Sequence, residues 1–167
     1  MSLATYTLTH VVISLIGIAA GFAVMVGMIK NRRLDRMTAL FLLTTVLTSL
    51  TGFGFLAYGL PPGGFSPGIA IGIISTVVLV VTLYARYGAQ MLGSWRWIYV
   101  FTAVLAQYLN FFVLIVQSFQ KIPTLHELAP NGKEPPFAIA QGVALVIFVA
   151  WGILALRQFR PAASPAT

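Results

Sequence analysis

His10 is the one histidine set inside a long apolar run, and it opens a series three and four residues apart: His10, Ser14, Gly17, Gly21, Val24 and Met28. That spacing places all six on one helical face. An imidazole can donate or accept a hydrogen bond, hold a metal or move a proton near neutral pH, and glycines four apart let a second backbone come close. A second polar group lies in another apolar run. Gln107 and Asn110 stand about midway between Trp97 and Phe119, and Gln117 follows on the same broad face as Tyr99, Ala103 and Ala106. A carboxamide in such surroundings needs a protein or water partner, because an unpaired polar group in hydrocarbon costs several kcal/mol. Thr44, Thr48 and Thr51 form a third series. Threonine readily returns its hydroxyl bond to its own helix, so this series matters for a pore only if another polar stripe faces it.

Several chemistries are excluded at once. The chain has no cysteine, so disulfides, thiolate catalysis, iron-sulfur ligation and covalent c-type haem attachment are ruled out. No Asp, Glu, Lys or Arg stands in the middle of an apolar run, which argues against an ion pump or proton relay. No Ser, His and carboxylate set can be assembled, and the sequence around Ser66 has no nucleophile elbow. His10 and His126, even with Glu127 or Glu134, lack metal-ligand spacing. A haem held by two histidines would ask for both on helices at matching depth, whereas His126 falls in a loop. No catalytic residue, metal or cofactor is therefore expected, and a haem-bearing electron carrier is the weakest alternative.

The elements that must position these groups are five apolar stretches, at residues 8–29, 37–60, 68–87, 97–119 and 137–156. Each approaches the roughly 20 residues that a helix needs to cross a hydrocarbon core about 30 Å thick. In lipid every backbone amide needs an internal partner, so runs of this length are helices. The chain is 59% hydrophobic and 8% charged, with a mean hydropathy of +0.93, too little charge to cover a water-soluble surface. The expected fold is an all-α integral membrane protein, a five-helix transmembrane bundle in one domain over 1–160 with a flexible Pro- and Ala-rich tail at 161–167. Residues 60–67 make a tight reversal, and 120–136 form the only substantial loop on that side.

The net charge of +7 does not indicate nucleic acid, because no soluble domain exists to carry such a site. Lys30, Arg32, Arg33, Arg36, Arg86, Arg96, Arg157 and Arg160 all fall on one side of a five-helix path, and only Lys121 and Lys133 on the other. The positive-inside rule then places the N-terminus outside and the C-terminus in the cytoplasm. Residues 1–9 lack a basic n-region, so the first helix is expected to be retained. Tyr87, Trp95 and Trp97 suit the headgroup belt, with Arg86 and Arg96 reaching lipid phosphates.

This topology draws His10, Thr51, Gln117 and Gln141 into the outer third of the bundle, beneath the loop that bears His126, Glu127 and Glu134. Gln107 and Asn110 lie deeper. Such a pocket suits the polar head of a lipid or quinone, with its tail among the helices. The expectation is a non-catalytic amphiphile-binding protein, alone, as a homo-oligomer or as an accessory subunit of a larger membrane complex. The alternative is a transporter or channel for a neutral solute, along a path joining Thr44 and Thr48 to Gln107 and Asn110.

The segments His10-Val11-Val12-Ile13-Ser14-Leu15, Thr44-Thr45-Val46-Leu47-Thr48-Ser49, Thr51-Gly52-Phe53-Gly54-Phe55 and Ser94-Trp95-Arg96-Trp97-Ile98-Tyr99 carry a resemblance that spans nearly the whole chain. It continues through Tyr108-Leu109-Asn110, Gln117-Ser118-Phe119-Gln120-Lys121 and Glu134-Pro135-Pro136-Phe137. In these the chain resembles a group of small five-helix bacterial inner-membrane proteins. The resemblance implies a shape and brings no activity or ligand. The chain departs from it at Leu56-Ala57-Tyr58, where a Pro-Phe pair is expected, so the outer end of the second helix is the place to look for a difference.

Overall fold

The computed structural model describes residues 1–61 and 66–160. The tail at 161–167 and the middle of the 60–67 reversal lie outside the described residues. Helix α1 spans Leu3–Ile29 and α2 spans Asp35–Gly54, continued by one 3-10 turn at Phe55–Tyr58. Helix α3 spans Pro67–Leu83 and passes into a π turn at Tyr84–Gly88; α4 spans Trp95–Lys121, α5 Pro123–Leu128 and α6 Pro135–Gln158. Five of these units, 22 to 27 residues each, are long and apolar enough to cross a membrane.

At α1 and α3, serine caps set where the helix begins. Ser2 accepts from the Thr5 amide at 3.2 Å, so α1 starts at Leu3 and not at residue 8. Thr7 and Thr9 return their hydroxyls to the Leu3 and Thr5 carbonyls, which lets polar residues join the first turns. Ser66 accepts from the Ile69 amide at 3.3 Å ahead of Pro67, a favoured pairing at a helix start. α1 closes at Asn31, whose φ of 52° is a left-handed conformation that asparagine tolerates. Its Oδ1 then accepts from the Arg160 amide at 2.7 Å, joining the ends of α1 and α6. The loop at 120–136 contains a helix that hydropathy missed, because Pro123 starts α5 directly after the extended Ile122.

α1 and α2 form a closely packed antiparallel pair, while α4 touches α1, α3, α5 and α6 and is the centre of the bundle. Between α1, α4 and α6 sits an aromatic cluster. Phe22 meets Phe111 and Trp151 edge-on with centroids 5.6 Å apart in both pairs, and Phe148 packs against Phe111 at 5.7 Å, geometries that favour aromatic pairs. The outward faces stay apolar along their length, with Leu8, Leu43, Ile73, Val77, Phe101, Val143 and Val146 all exposed. Apolar surface on every long helix suits a lipid environment.

One end of the bundle collects eight of the ten basic side chains, and here one expectation is corrected. Arg86 and Arg96 do not extend toward lipid phosphates. The π turn carries Arg86 inward to 2% exposure, where it pairs with Asp35 at the start of α2, donates to Met91 Sδ at 3.2 Å and lies 5.3 Å from the Tyr99 ring centroid. Arg96 donates to the Leu156 and Phe159 carbonyls at 3.2 and 2.7 Å. Carbonyls at a helix C-terminus have no partner of their own and attract a cation, so these two arginines tie helix ends together.

Candidate functional site

At the opposite end, α1 and α2 bring His10 and Thr51 together, with Nδ1 and Oγ1 2.7 Å apart. Thr51 Oγ1 also lies 2.7 Å from the Leu47 carbonyl. A carbonyl can only accept, and a Thr51 hydroxyl that donates to it leaves its oxygen as the acceptor for His10 Nδ1, the arrangement that satisfies both contacts. The imidazole is thereby held as the Nδ1–H tautomer, with its Nε2 lone pair left as an acceptor. Nε2 has no partner among the described residues and is not sealed inside the protein.

The change in helix type at Phe55 builds the rest of this end. The Phe55 amide bonds the Gly52 carbonyl three residues back, which frees the Thr51 carbonyl from its usual partner four residues on. Tyr6 donates its hydroxyl to that carbonyl at 2.7 Å. The approach requires glycine at 54, where any Cβ would overlap the Tyr6 hydroxyl. Phe55 meets Tyr6 and His10 edge-on at 4.9 and 5.3 Å, and Tyr58 lies 5.0 Å from Tyr6. Leu56-Ala57-Tyr58 thus forms the 3-10 turn with Phe55 and carries one aromatic wall. Tyr6, Phe55 and Tyr58 were not singled out from the sequence. The spacing of Tyr6 and His10, four apart on one face, was the available signal.

The other polar residues go elsewhere. Gln107 has 0% exposure and donates from Nε2 to the Ile18 carbonyl at 2.8 Å, while its Oε1 has no partner among the described residues. Asn110 donates to Thr45 Oγ1 at 3.1 Å. Gln141 donates to the Phe112 carbonyl at 3.3 Å, and Gln117 is exposed on α4. No hydrogen bond joins Gln117 or Gln141 to His10 or Thr51 among the described residues. Thr44 returns its hydroxyl to the Leu40 carbonyl at 2.7 Å and packs beside Gly17. The threonine series of α2 therefore faces the glycine stripe of α1, the same stripe that meets Gln107 of α4 one turn on. His126 folds back onto the Phe119 carbonyl at 3.3 Å, and no three His, Asp or Glu side chains converge among the described residues.

Beside this end, Glu134 closes the loop before α6. Its carboxylate accepts from the Asn131 side chain at 2.7 Å and from the Lys133 amide at 2.9 Å. Donors of this kind favour the charged form, and they hold its pKa down from 4.5 to about 2. A depressed carboxyl pKa contributes stability that is complete above about 4.5 and lost as pH falls toward about 2. NMR titration of the Glu134 carboxyl is expected to show a midpoint near 2, with the Asn131 amide shifting in the same window. A midpoint near 4.5 would show that the loop clasp does not form.

Comparison with protein-family models, curated proteins and solved structures finds no match to this chain.

Proposed function

We propose that this chain is a non-catalytic multi-pass protein of the bacterial inner membrane, with its N-terminus outside, that binds the polar head of an amphiphile at the His10 end. The observation that carries the reading is the imidazole held by Thr51 against Phe55, with Nε2 left as an unshared acceptor and with Tyr6 and Tyr58 packed in turn behind Phe55. A lone pair at that position selects a ligand with a hydroxyl to donate, such as a quinol or a hydroxylated lipid head, over one that only accepts, such as the oxidised quinone. The aromatic walls supply apolar area for the ring or first methylenes, and the outward face of α1 accommodates the tail. The chain then acts as a holder of that amphiphile, on its own, as a homo-oligomer or as an accessory subunit of a membrane complex. The asymmetry of the basic residues supports the orientation.

The test compares a short-chain quinol with its quinone on purified protein. The quinol is expected to bind more tightly, and His10→Ala to weaken it about tenfold, equivalent to about 1.4 kcal/mol. Equal affinity for both redox forms, or quinol binding unaffected by His10→Ala, would overturn the site. Reporter fusions at Asn31, Asn131 and the C-terminus check the orientation separately, and a cytoplasmic signal from Asn131 would reverse it.

A further inference from the structure

The outward side of α2 and α3 carries an apolar furrow that opens widest at the basic end of the bundle. Its wider part, about 390 Å³, is bounded by Ala39, Leu42, Leu43 and Tyr87. Val46 and Leu83 line both this part and a narrower one of about 130 Å³ that reaches Leu50 and Thr76, so the two adjoin along the α2–α3 seam. The hydroxyls at its narrow end are already engaged, Ser49 with the Thr45 carbonyl and Thr76 with the Gly72 carbonyl. The narrow part therefore offers hydrocarbon contact and no headgroup partner, and the one other hydroxyl is that of Tyr87 at the wide, basic end.

Its length and its charge identify the occupant. From Ala39 to Leu50 the helix rises about 16 Å at 1.5 Å per residue, close to half of a hydrocarbon core about 30 Å thick. The furrow thus matches the depth of one leaflet. Arg36 lies three residues before Ala39 on the same stripe of α2 and is exposed. The nearby carboxylate of Asp35 is already bonded by Arg33 and Arg86, which leaves the charge of Arg36 for a phosphate. A transmembrane helix from a second copy fits less well, since helix crossings in lipid favour glycine and other small residues, and this wall has no glycine and is mostly Leu and Val, with Ala39, Ser49 and Thr76 its only small side chains.

We propose that the α2–α3 furrow seats one acyl chain of an anionic phospholipid from the leaflet at the basic end, with its phosphate at Arg36. This rests on the membrane-spanning reading above and is independent of the His10 site.

Native mass spectrometry of the protein released from nanodiscs of mixed phosphatidylglycerol and phosphatidylcholine tests it. The protein is expected to retain one lipid, with about a fivefold preference for phosphatidylglycerol, equivalent to the about 1 kcal/mol that one basic residue contributes at a membrane surface. Arg36→Gln is expected to abolish the preference while the lipid remains. Leu43→Trp, which fills the furrow from its exposed rim, and Val46→Trp, which fills it from its half-buried floor, are expected to abolish retention, with circular dichroism showing that helix content is kept. Equal retention of the two lipids by the unaltered protein, retention unchanged in both tryptophan variants, or a lipid-free dimer that these variants dissociate would overturn the proposal. His10→Ala is expected to leave phosphatidylglycerol retention unchanged, so failure at one site is distinguishable from failure at the other.

Discussion

Gly21→Ala is expected to destabilise the bundle by about 3 kcal/mol, and Gly21→Leu to leave little folded protein. Any Cβ at position 21 overlaps the Gln107 carboxamide. That carboxamide cannot swing aside freely, because its Nε2 is bonded to the Ile18 carbonyl at 2.8 Å and the residue is fully buried. Relief must come from pushing α1 away from α4 or from breaking this bond. Overpacking a core costs about 1–3 kcal/mol, and an interhelical hydrogen bond in a membrane averages about 0.6 kcal/mol. The discriminating measurement is a double-mutant cycle. Gln107→Ala removes the obstruction, so Gly21→Ala in that background is expected to cost well under half of what it costs alone. Such coupling is the signature of residues in direct contact. Additive effects in a detergent or bicelle unfolding assay would mean that position 21 does not face Gln107.

At the basic end, Asp35→Asn is expected to cost about 3 kcal/mol, more than Arg86→Met, which removes the charge itself. Arg86 is 2% exposed, whereas the Asp35 side chain is 64% exposed. Removing a partner from a buried ion leaves an uncompensated charge, a loss of about 3–5 kcal/mol when both groups are buried. The exposure of Asp35 places the expected value at the low end. Arg86→Met keeps apolar bulk beside Tyr99 and Met91 and leaves only an accessible carboxylate that water can solvate. The double variant should therefore recover most of what Asp35→Asn loses. Thermal unfolding of the three variants in one detergent provides the order. Arg86→Met as the most damaging of them would show that the guanidinium acts mainly through packing or the cation–π contact, and not through its charge.

These two contacts differ in how far they could be seen in advance. The glycine stripe of α1 and the inward amide of Gln107 were both legible, since period 3.6 places Gly17 and Gly21 on one face and a carboxamide deep in an apolar run needs a partner. Which helix each would meet was not legible. Gly17 packs against Thr44 of α2, while Gly21, one turn on, packs against Gln107 of α4. A helix periodicity gives a direction around one axis, and the choice of neighbour depends on how three axes cross. Arg86 shows the same limit in charge. A basic residue beside an apolar run reads as a surface anchor, and only the π turn, which shifts the register of the last turn of α3, rotates it toward Asp35 and Tyr99.

Length and composition alone determined that the chain is all-helical with five long apolar units, because only a continuous helix satisfies the backbone of such runs in an apolar medium. Spacing alone placed His10 and the glycines on one face. The tertiary structure decided that His10 bonds Thr51 while Gln117 is exposed on α4 and Gln141 turns to the Phe112 carbonyl. It also revealed Phe55 against the imidazole with Tyr6 and Tyr58 behind it, and an apolar furrow along the outward side of α2 and α3. The physical reason is that the hydrophobic pattern along a helix is local and non-directional between partners. A hydrogen bond at 2.7 Å, or a glycine beneath a tyrosine hydroxyl, depends on the crossing of helices brought together from distant parts of the chain.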